Sequence, residues 1–215
     1  MPTDLVVVGS LNMDLVIKAP RAPQAGETIR GHDFQMIPGG KGANQAAAAA
    51  KLGGRVAMVG RVGGDAFGPV LIENLARQGV DTKHIIVDQG VSTGVAVITV
   101  DDTGENRIII SAGANGRVSR SDIDAAEGLL RDAKFLILQF EIPLDVVDYA
   151  MEKATRYRVK VILNPAPASP ASPKFLRRVD CLVPNETETK ILTGLDVHDL
   201  DSAEKAAQRL LECGV

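Results

Sequence analysis

The chain has 215 residues, 45% hydrophobic and 24% charged, with 24 Lys and Arg against 27 Asp and Glu for a formal net charge of -3. With a mean hydropathy of +0.07 this is the composition of a folded globular chain and excludes a disordered one. The acidic balance leaves no basic footprint for nucleic acid and no polybasic membrane anchor, and aromatics at 3% offer no stacking platform for single strands, so a small-molecule partner is expected.

In chain order, Leu5–Val8 reads as a strand and the alanine-rich stretch 44–52, closed by Gly53-Gly54, as a helix. A strand at 56–62 and a helix at 67–78, stopped by Gly79, come next. The stretch 122–133 repeats Ile123, Ala126, Leu130 and Ala133 at helical spacing, and Ser119 with Asp122 makes a capping-box start for it. Strand 135–138, helix 144–157, strands 159–163 and 181–183, and helices 186–193 and 202–212 complete the reading. Strands separated by helices predict βαβ units, hence an α/β fold with a mostly parallel sheet flanked by helices.

Two stretches break this alternation. Residues 26–38 carry no helical period, and 94–100 with 107–111 flank the turn Asp101-Asp102-Thr103-Gly104-Glu105 and read as a β-hairpin. The first hairpin strand is apolar on both faces, Val95 and Val97 on one and Ala96 and Ile98 on the other. A small β lid over about 26–38 and 94–111 is therefore expected, one face over a ligand and the other against a partner subunit. The run 165–173, with four prolines in nine residues, reads as a rigid loop.

Cys181 and Cys213 lie far apart and fit no metal spacing, so free thiols are expected, and His32, His84 and His198 are too scattered for a metal site. The start Met1-Pro2-Thr3-Asp4 has no basic n-region, and no apolar run approaches the length of a membrane span; a cytoplasmic location is expected.

The polar motifs fall at strand ends. Gly9-Ser10-Leu11-Asn12 lacks the later glycines of a dinucleotide fingerprint. Gly39-Gly40-Lys41-Gly42-Ala43-Asn44 has Gly42 where a P-loop needs Ser or Thr. What remains is a glycine cluster at a helix mouth, whose N–H groups and dipole suit oxygen-rich groups. Asn12 and Asp14, just past the first strand, suit the vicinal hydroxyls of a sugar. Glu141 follows strand 135–138, and Asn185 with Glu188 follows strand 181–183. A capping box would explain the last pair alone. Four polar sets at four strand ends, however, converge on one sheet edge and point to a site.

Together these motifs resemble the ribokinase-like (PfkB) carbohydrate kinases. The resemblance rests on Gly-Ser-Leu-Asn-Met-Asp at 9–14, Gly39-Gly40-Lys41-Gly42-Ala43-Asn44-Gln45-Ala46, Gly63-Gly64-Asp65 with Phe67-Gly68, and Leu138-Gln139-Phe140-Glu141-Ile142-Pro143. It continues through Asn164-Pro165-Ala166-Pro167-Ala168 and Asn185-Glu186-Thr187-Glu188, whose forms resemble the ribose-phosphorylating members more than the fructose or adenosine ones. The resemblance implies phosphorylation of D-ribose at its 5-hydroxyl with ATP and magnesium. Another sugar or nucleoside kinase of the family, or a non-catalytic sugar-binding module, is the alternative.

The same resemblance assigns Asn12, Asp14, Gly40, Lys41, Asn44 and Glu141 to the sugar, with Asp14 holding ribose hydroxyls. It makes Ala96 and Ile110 apolar lid positions above the sugar, Asn185 a nucleotide-phosphate contact of ATP, and Glu188 a residue acting on magnesium through its waters. The lid is implied as a homodimer contact. The family's second signature, a glycine-rich Asp-Thr-x-Gly-Ala-Gly-Asp type run, does not occur in 1–215. That run would supply the anion hole, the proton-accepting aspartate, most of the adenine pocket and the site of a monovalent cation such as K+. The chain is accordingly expected to be the N-terminal part of such a domain, inactive by itself.

Overall fold

The computed structural model describes residues 3–168 and 173–215. The centre of the expected proline-rich loop, 169–172, and the first two residues lie outside the described residues. The chain opens with β1 (Leu5–Val8), β2 (Asn12–Lys18), β3 (His32–Gly39) and α1 (Lys41–Lys51). β4 (Val56–Gly63), α2 (Phe67–Arg77) and β5 (Asp81–Asp88) lead to the hairpin β6 (Gly94–Val100) and β7 (Asn106–Ser111), then a 3-10 turn at Gly113–Arg117. Next come α3 (Arg120–Ala125), α4 (Glu127–Asp132), β8 (Phe135–Leu138), α5 (Leu144–Tyr157) and β9 (Lys160–Leu163). α6 (Pro173–Leu176), β10 (Cys181–Leu182), α7 (Glu186–Thr193) and α8 (Leu200–Glu212) follow.

Six strands form one sheet in the order β10-β9-β8-β1-β4-β5, with every pairing parallel. Its central strands are short β-branched runs because both faces are covered. Val6, Val8, Leu136, Leu138, Val161 and Leu163 face α3, α4 and α5 through Ile123, Leu130, Val147 and Met151. Val7, Met58 and Val62 face the opposite way, onto Ala43 and Ala46 of α1 and Leu71 and Leu75 of α2. The strands alternate sides with the period of two that a pleated strand requires.

A second sheet of four strands runs β3-β2-β6-β7. The hairpin expected at 94–111 is its outer half, and β3 accounts for most of the 26–38 segment. β2 was not expected. Asn12 and Asp14 stand on this strand and not in a loop beyond β1, because they alternate with Met13, Leu15 and Ile17 as one face of an extended run. The pairing registers Asp14 with Ile37 and with Ala96, and Ala96 with Ile110, so these four form one row across one face. Leu15 registers with Met36 and Val97, and Val97 with Ile109, giving a wholly apolar row on the other face.

Three further boundaries differ from expectation. α1 begins at Lys41, three residues before Asn44, because Gly42 packs on the turn after β1, where a Cβ would come within 2.7 Å of Ser10 N. The helix expected at 122–133 is two: Ala126 leaves helical geometry at φ -98°, ψ 9°, and Gly128 beyond it is a weak helix former. The Ser119–Asp122 capping box is formed. β5 is an edge strand whose Lys83, His84 and Asp88 hide its apolar alternation, and only Ile85 in it is buried.

Candidate active site

The turn from β1 into β2 and the first turn of α1 are pressed together. Gly40, the residue before α1, has φ +94°, and a Cβ there would lie 2.7 Å from Asn12 N, so only glycine fits the conformation and the contact. Gly39 lies against the Asp14 carboxylate, where a Cβ would come within 2.2 Å of Oδ2. Ala43 N donates to Ser10 O at 2.9 Å and Gly42 N to Ser10 Oγ at 3.3 Å. Ser10 Oγ in turn donates to Glu141 Oε2 at 2.5 Å, and Lys41 N donates to the same oxygen at 3.2 Å. The Glu141 carboxylate therefore rests on the positive end of α1, a favourable place for an anion. The second carboxylate oxygen of Glu141 makes no hydrogen bond among the described residues.

Asp14 is half-buried, and desolvation, then the negative charge of Glu141, raise its pKa above the ordinary aspartate value of 3.8. Asn12 is buried and accepts a hydrogen bond at Oδ1 from Asn115 Nδ2 at 2.7 Å. With Ile110, Phe140, Glu141 and Pro167, Asn12 lines a cleft of about 360 Å³ under the lid sheet. Asn12, Asp14, Gly40, Lys41, Ala96, Ile110 and Glu141 are thus one neighbourhood, joined by contact or by strand register.

Asn44 borders this neighbourhood, its N–H donating to Gly40 O at 2.9 Å, and Asn185 lies on a different element. Asn44 opens on a neighbouring cavity of about 390 Å³ between α1, α2 and β3. Asn185 lines a third, of about 450 Å³, between α7 and α8. The capping box weighed for this pair in the sequence is formed. Asn185 Oδ1 accepts from Glu188 N at 2.8 Å, and Glu188 Oε2 accepts from Asn185 N at 2.9 Å, the reciprocal capping box of α7. Any ligand role for the pair is additional to this one. The other oxygen of Glu188 is not hydrogen-bonded among the described residues, so one carboxylate oxygen remains for a hydrated hard cation.

Positioning residues to which the sequence reading gave no role, Ser10 and Asp65 within the quoted motifs and Asn115 outside them, brace the neighbourhood and the strands beside it. Ser10 is fully buried and Asn115 almost so, at 1% exposure. Asp65 accepts from Phe67 N (3.0 Å), Gly68 N (3.2 Å), Thr93 N (2.7 Å) and Thr93 Oγ1 (2.6 Å), tying the start of α2 to the entry of β6. Desolvation opposes its charge, yet these donors outweigh it and hold the Asp65 pKa below the usual aspartate value. Ser10 stands in the quoted 9–14 motif but its link to Glu141 does not show there, and Asn115, outside every quoted motif, is found only in three dimensions.

No cluster of three or more His, Cys, Asp or Glu able to hold a metal occurs among the described residues, and Cys181 and Cys213 are free. No helix among them is long and apolar enough to cross a membrane.

The sequence matches the pfkB family carbohydrate kinase profile over residues 2–215. It is 41% identical to a ribokinase of Haemophilus influenzae over 215 residues, covering 100% of this chain and 70% of that protein. It is 39% identical to a deoxyribokinase of Salmonella typhi, covering 99% of this chain and 70% of that one. Among solved structures, an Arabidopsis thaliana ribokinase complexed with ribose and ATP superposes with a TM-score of 0.90 at 36% identity, over 100% of this chain and 70% of that chain. With the family profile spanning nearly every residue and relatives at this identity over the whole chain, the protein belongs to the pfkB family of carbohydrate kinases.

Proposed function

We propose that this kinase transfers the γ-phosphoryl group of ATP to the 5-hydroxyl of D-ribose. The observation that carries the reading is Asn12, which lines the cleft with Glu141 at the start of α1, and Asp14, two residues on along the same face of β2 and close enough to Glu141 to feel its charge. An amide and a carboxylate two residues apart on a strand suit adjacent sugar hydroxyls. Ala96 and Ile110, in register with Asp14, offer apolar surface to the sugar carbons. The identity to a ribokinase and the likeness to one complexed with ribose and ATP support the same substrates.

In the transfer the 5-hydroxyl oxygen bonds to the γ-phosphorus, the bond to the β-phosphate oxygen breaks, and the hydroxyl proton passes to a base. Catalysis is then chiefly positioning and charge neutralisation. Glu141 lines the cleft and Asp14 stands near it on β2, but Asp14 is assigned to hydroxyls and Glu141 to Ser10 and the α1 terminus. We assign the base outside 1–215, so these residues by themselves are expected to hold sugar without turning it over. The free oxygen of Glu188 would hold a hydrated magnesium ion, which when bound offsets phosphate charge, and Asn185 would meet the phosphates. We assign a monovalent cation such as K+ no residue in this chain. The free cysteines suit a cytoplasmic location.

We propose further that the apolar row Met36, Leu15, Val97 and Ile109 is covered by a second copy of the chain. Three of its members are 58%, 42% and 75% exposed, an aggregation hazard unless the face is partnered. Sedimentation at micromolar concentration should give a dimer that Ile109→Lys converts to monomer; a monomeric wild type overturns this.

The substrate reading is tested with the full-length protein on ribose, 2-deoxyribose, fructose and adenosine in a coupled ATP assay. Ribose should have the highest kcat/KM. The 39% identity to a deoxyribokinase makes 2-deoxyribose the competing reading. Preference for it, or for fructose or adenosine, displaces ribose; sugar binding without turnover by the full-length protein favours a binding module.

A further inference from the structure

The polarity that the cleft presents to a sugar is fixed by a residue in its wall, Asn115, which lines the cleft beside Asn12. Asn115, in the 3-10 turn after the lid hairpin, is 1% exposed and has both amide atoms committed. Its Oδ1 accepts from Leu11 N at 2.9 Å, and its Nδ2 donates to Leu11 O at 3.1 Å and to Asn12 Oδ1 at 2.7 Å. The backbone pair of Leu11 removes the ambiguity of an asparagine flip: a carbonyl cannot face Leu11 O, nor an amino group Leu11 N. With Asn115 oriented, Asn12 is oriented too, because only its oxygen can meet the Asn115 amino group. Gly94 seals the pair, since a Cβ there would lie 2.2 Å from both Asn115 Nδ2 and Asn12 Oδ1.

We infer that Asn115 is a positioning residue that makes Asn12 a pure hydrogen-bond donor to the sugar and thereby sets which hydroxyl pattern the kinase accepts. The amino group of Asn12 has no partner among the described residues and belongs to a residue lining the cleft. Asp14 beside it accepts while ionised. A sugar oxygen must therefore accept at Asn12 while a hydroxyl donates at Asp14, an ordered demand that vicinal hydroxyls meet and a deoxy carbon does not. A site built to bond a hydroxyl rejects the analogue lacking it because its own polar group is left unpaired. The inference rests on the sugar-kinase reading and adds a discriminating residue to it.

The test is a double-mutant cycle on sugar affinity and steady-state kinetics in the full-length protein, with fold checked by circular dichroism. Asn115→Ala should raise the sugar KM by about 5- to 30-fold, the range of one lost buried hydrogen bond, and leave kcat and the KM for ATP unchanged. Because Asn115 acts through Asn12, the double variant with Asn12→Ala should bind sugar no more weakly than Asn12→Ala alone; additive losses overturn the inference. Asn12→Asp tests the same point without touching Asn115. It keeps an oxygen for the Asn115 amino group but turns an oxygen toward the sugar, so it should lose as much affinity as Asn12→Ala. Wild-type affinity in Asn12→Asp would mean that Asn12 presents its carbonyl, and the inference fails. The losses should shrink toward none with either 2-deoxy- or 3-deoxyribose, whichever lacks the hydroxyl over Asn12. If the wild type refuses all pentoses, the ribose reading fails and the cycle is run on the sugar it accepts. If it binds no sugar at all, both fall.

Discussion

The two sheets obey opposite rules. In the six-stranded sheet most residues of the central strands β1 and β4 are buried, neighbours alternate between two apolar clusters, and helices cover both faces. In the four-stranded sheet the pleat separates a mixed face, carrying Asn12 and Asp14 among Ile37, Ala96 and Ile110, from an apolar face left open to solvent. The first sheet holds the molecule together and keeps the strand ends in place. The second contributes little core and presents chemistry. The difference teaches that the lid residues are apolar for what they meet in use, not for what folds them.

Truncating one residue of each sheet separates these roles most sharply. Leu136 on β8 is fully buried, and Leu136→Ala should cost about 2–5 kcal/mol, the range for a leucine cavity in a packed core. Ile109 on β7 is 75% exposed, and Ile109→Ala should shift the stability of the isolated subunit by only about 0.5 kcal/mol or less. Denaturant melts of both variants check this. If Ile109→Ala unfolds the chain as readily as Leu136→Ala, the lid is core and the comparison fails.

The same division decides what was legible in the sequence. The central strands of the large sheet announce themselves because burial on both faces demands unbroken β-branched runs, such as the valines from Val6 to Val8. The helices are legible through their stripes and stop signals, among them Gly79 after α2. β2 and β5 were not, since a strand carrying functional or edge polar residues looks like a loop. Of the site, Asn12, Asp14, the glycine motif and Glu141 stood out, but the bracing roles of Ser10 and Asn115 did not. A single polar residue buried against a neighbour more than 100 positions away leaves no local pattern. The α7 cap was the reverse case: the Asn185–Glu188 spacing was legible as a capping box, and a capping box is what forms.

On the mixed face, Asp14→Ala should weaken ribose binding by roughly 10- to 150-fold, the equivalent of about 1.5–3 kcal/mol for a hydrogen bond to a charged group. Calorimetry on the folded variant checks this, and an unchanged Kd removes Asp14 from the site. Glu188→Gln separates the α7 cap from any role at phosphate. The amide can still accept from Asn185 N, so the fold and ribose affinity should stay, while turnover of the full-length enzyme falls by about 10-fold or more through a disturbed metal shell. Full turnover with a normal magnesium dependence would leave Glu188 as a cap alone.

The smallest expected effect concerns stability, and it has a definite sign. In the folded chain burial, and then the charge of Glu141, raise the Asp14 pKa above 3.8; in the unfolded chain neither acts. Between the ordinary value and the raised one, the folded protein keeps a proton that the unfolded chain has lost. Stability therefore falls as pH rises through that window, and the whole cost stands at neutral pH. Asp14→Asn removes the charge and the cost together, so the variant should be more stable at pH 7 by about 0.5–1 kcal/mol, the usual return on relieving a functional site. The advantage should shrink on acidification and vanish below the ordinary aspartate range, where wild-type Asp14 is protonated in both states. Sugar binding runs the other way: it needs the ionised carboxylate, so wild-type affinity should decline on acidification at a higher pH than an ordinary aspartate would allow. Melting temperatures of both proteins from pH 4 to 8, beside ribose titrations over the same range, check the two halves. A gap that does not widen with pH, or a variant that melts below wild type at pH 7, would mean that Asp14 is held by favourable contacts and is part of the scaffold instead of the chemistry the lid presents.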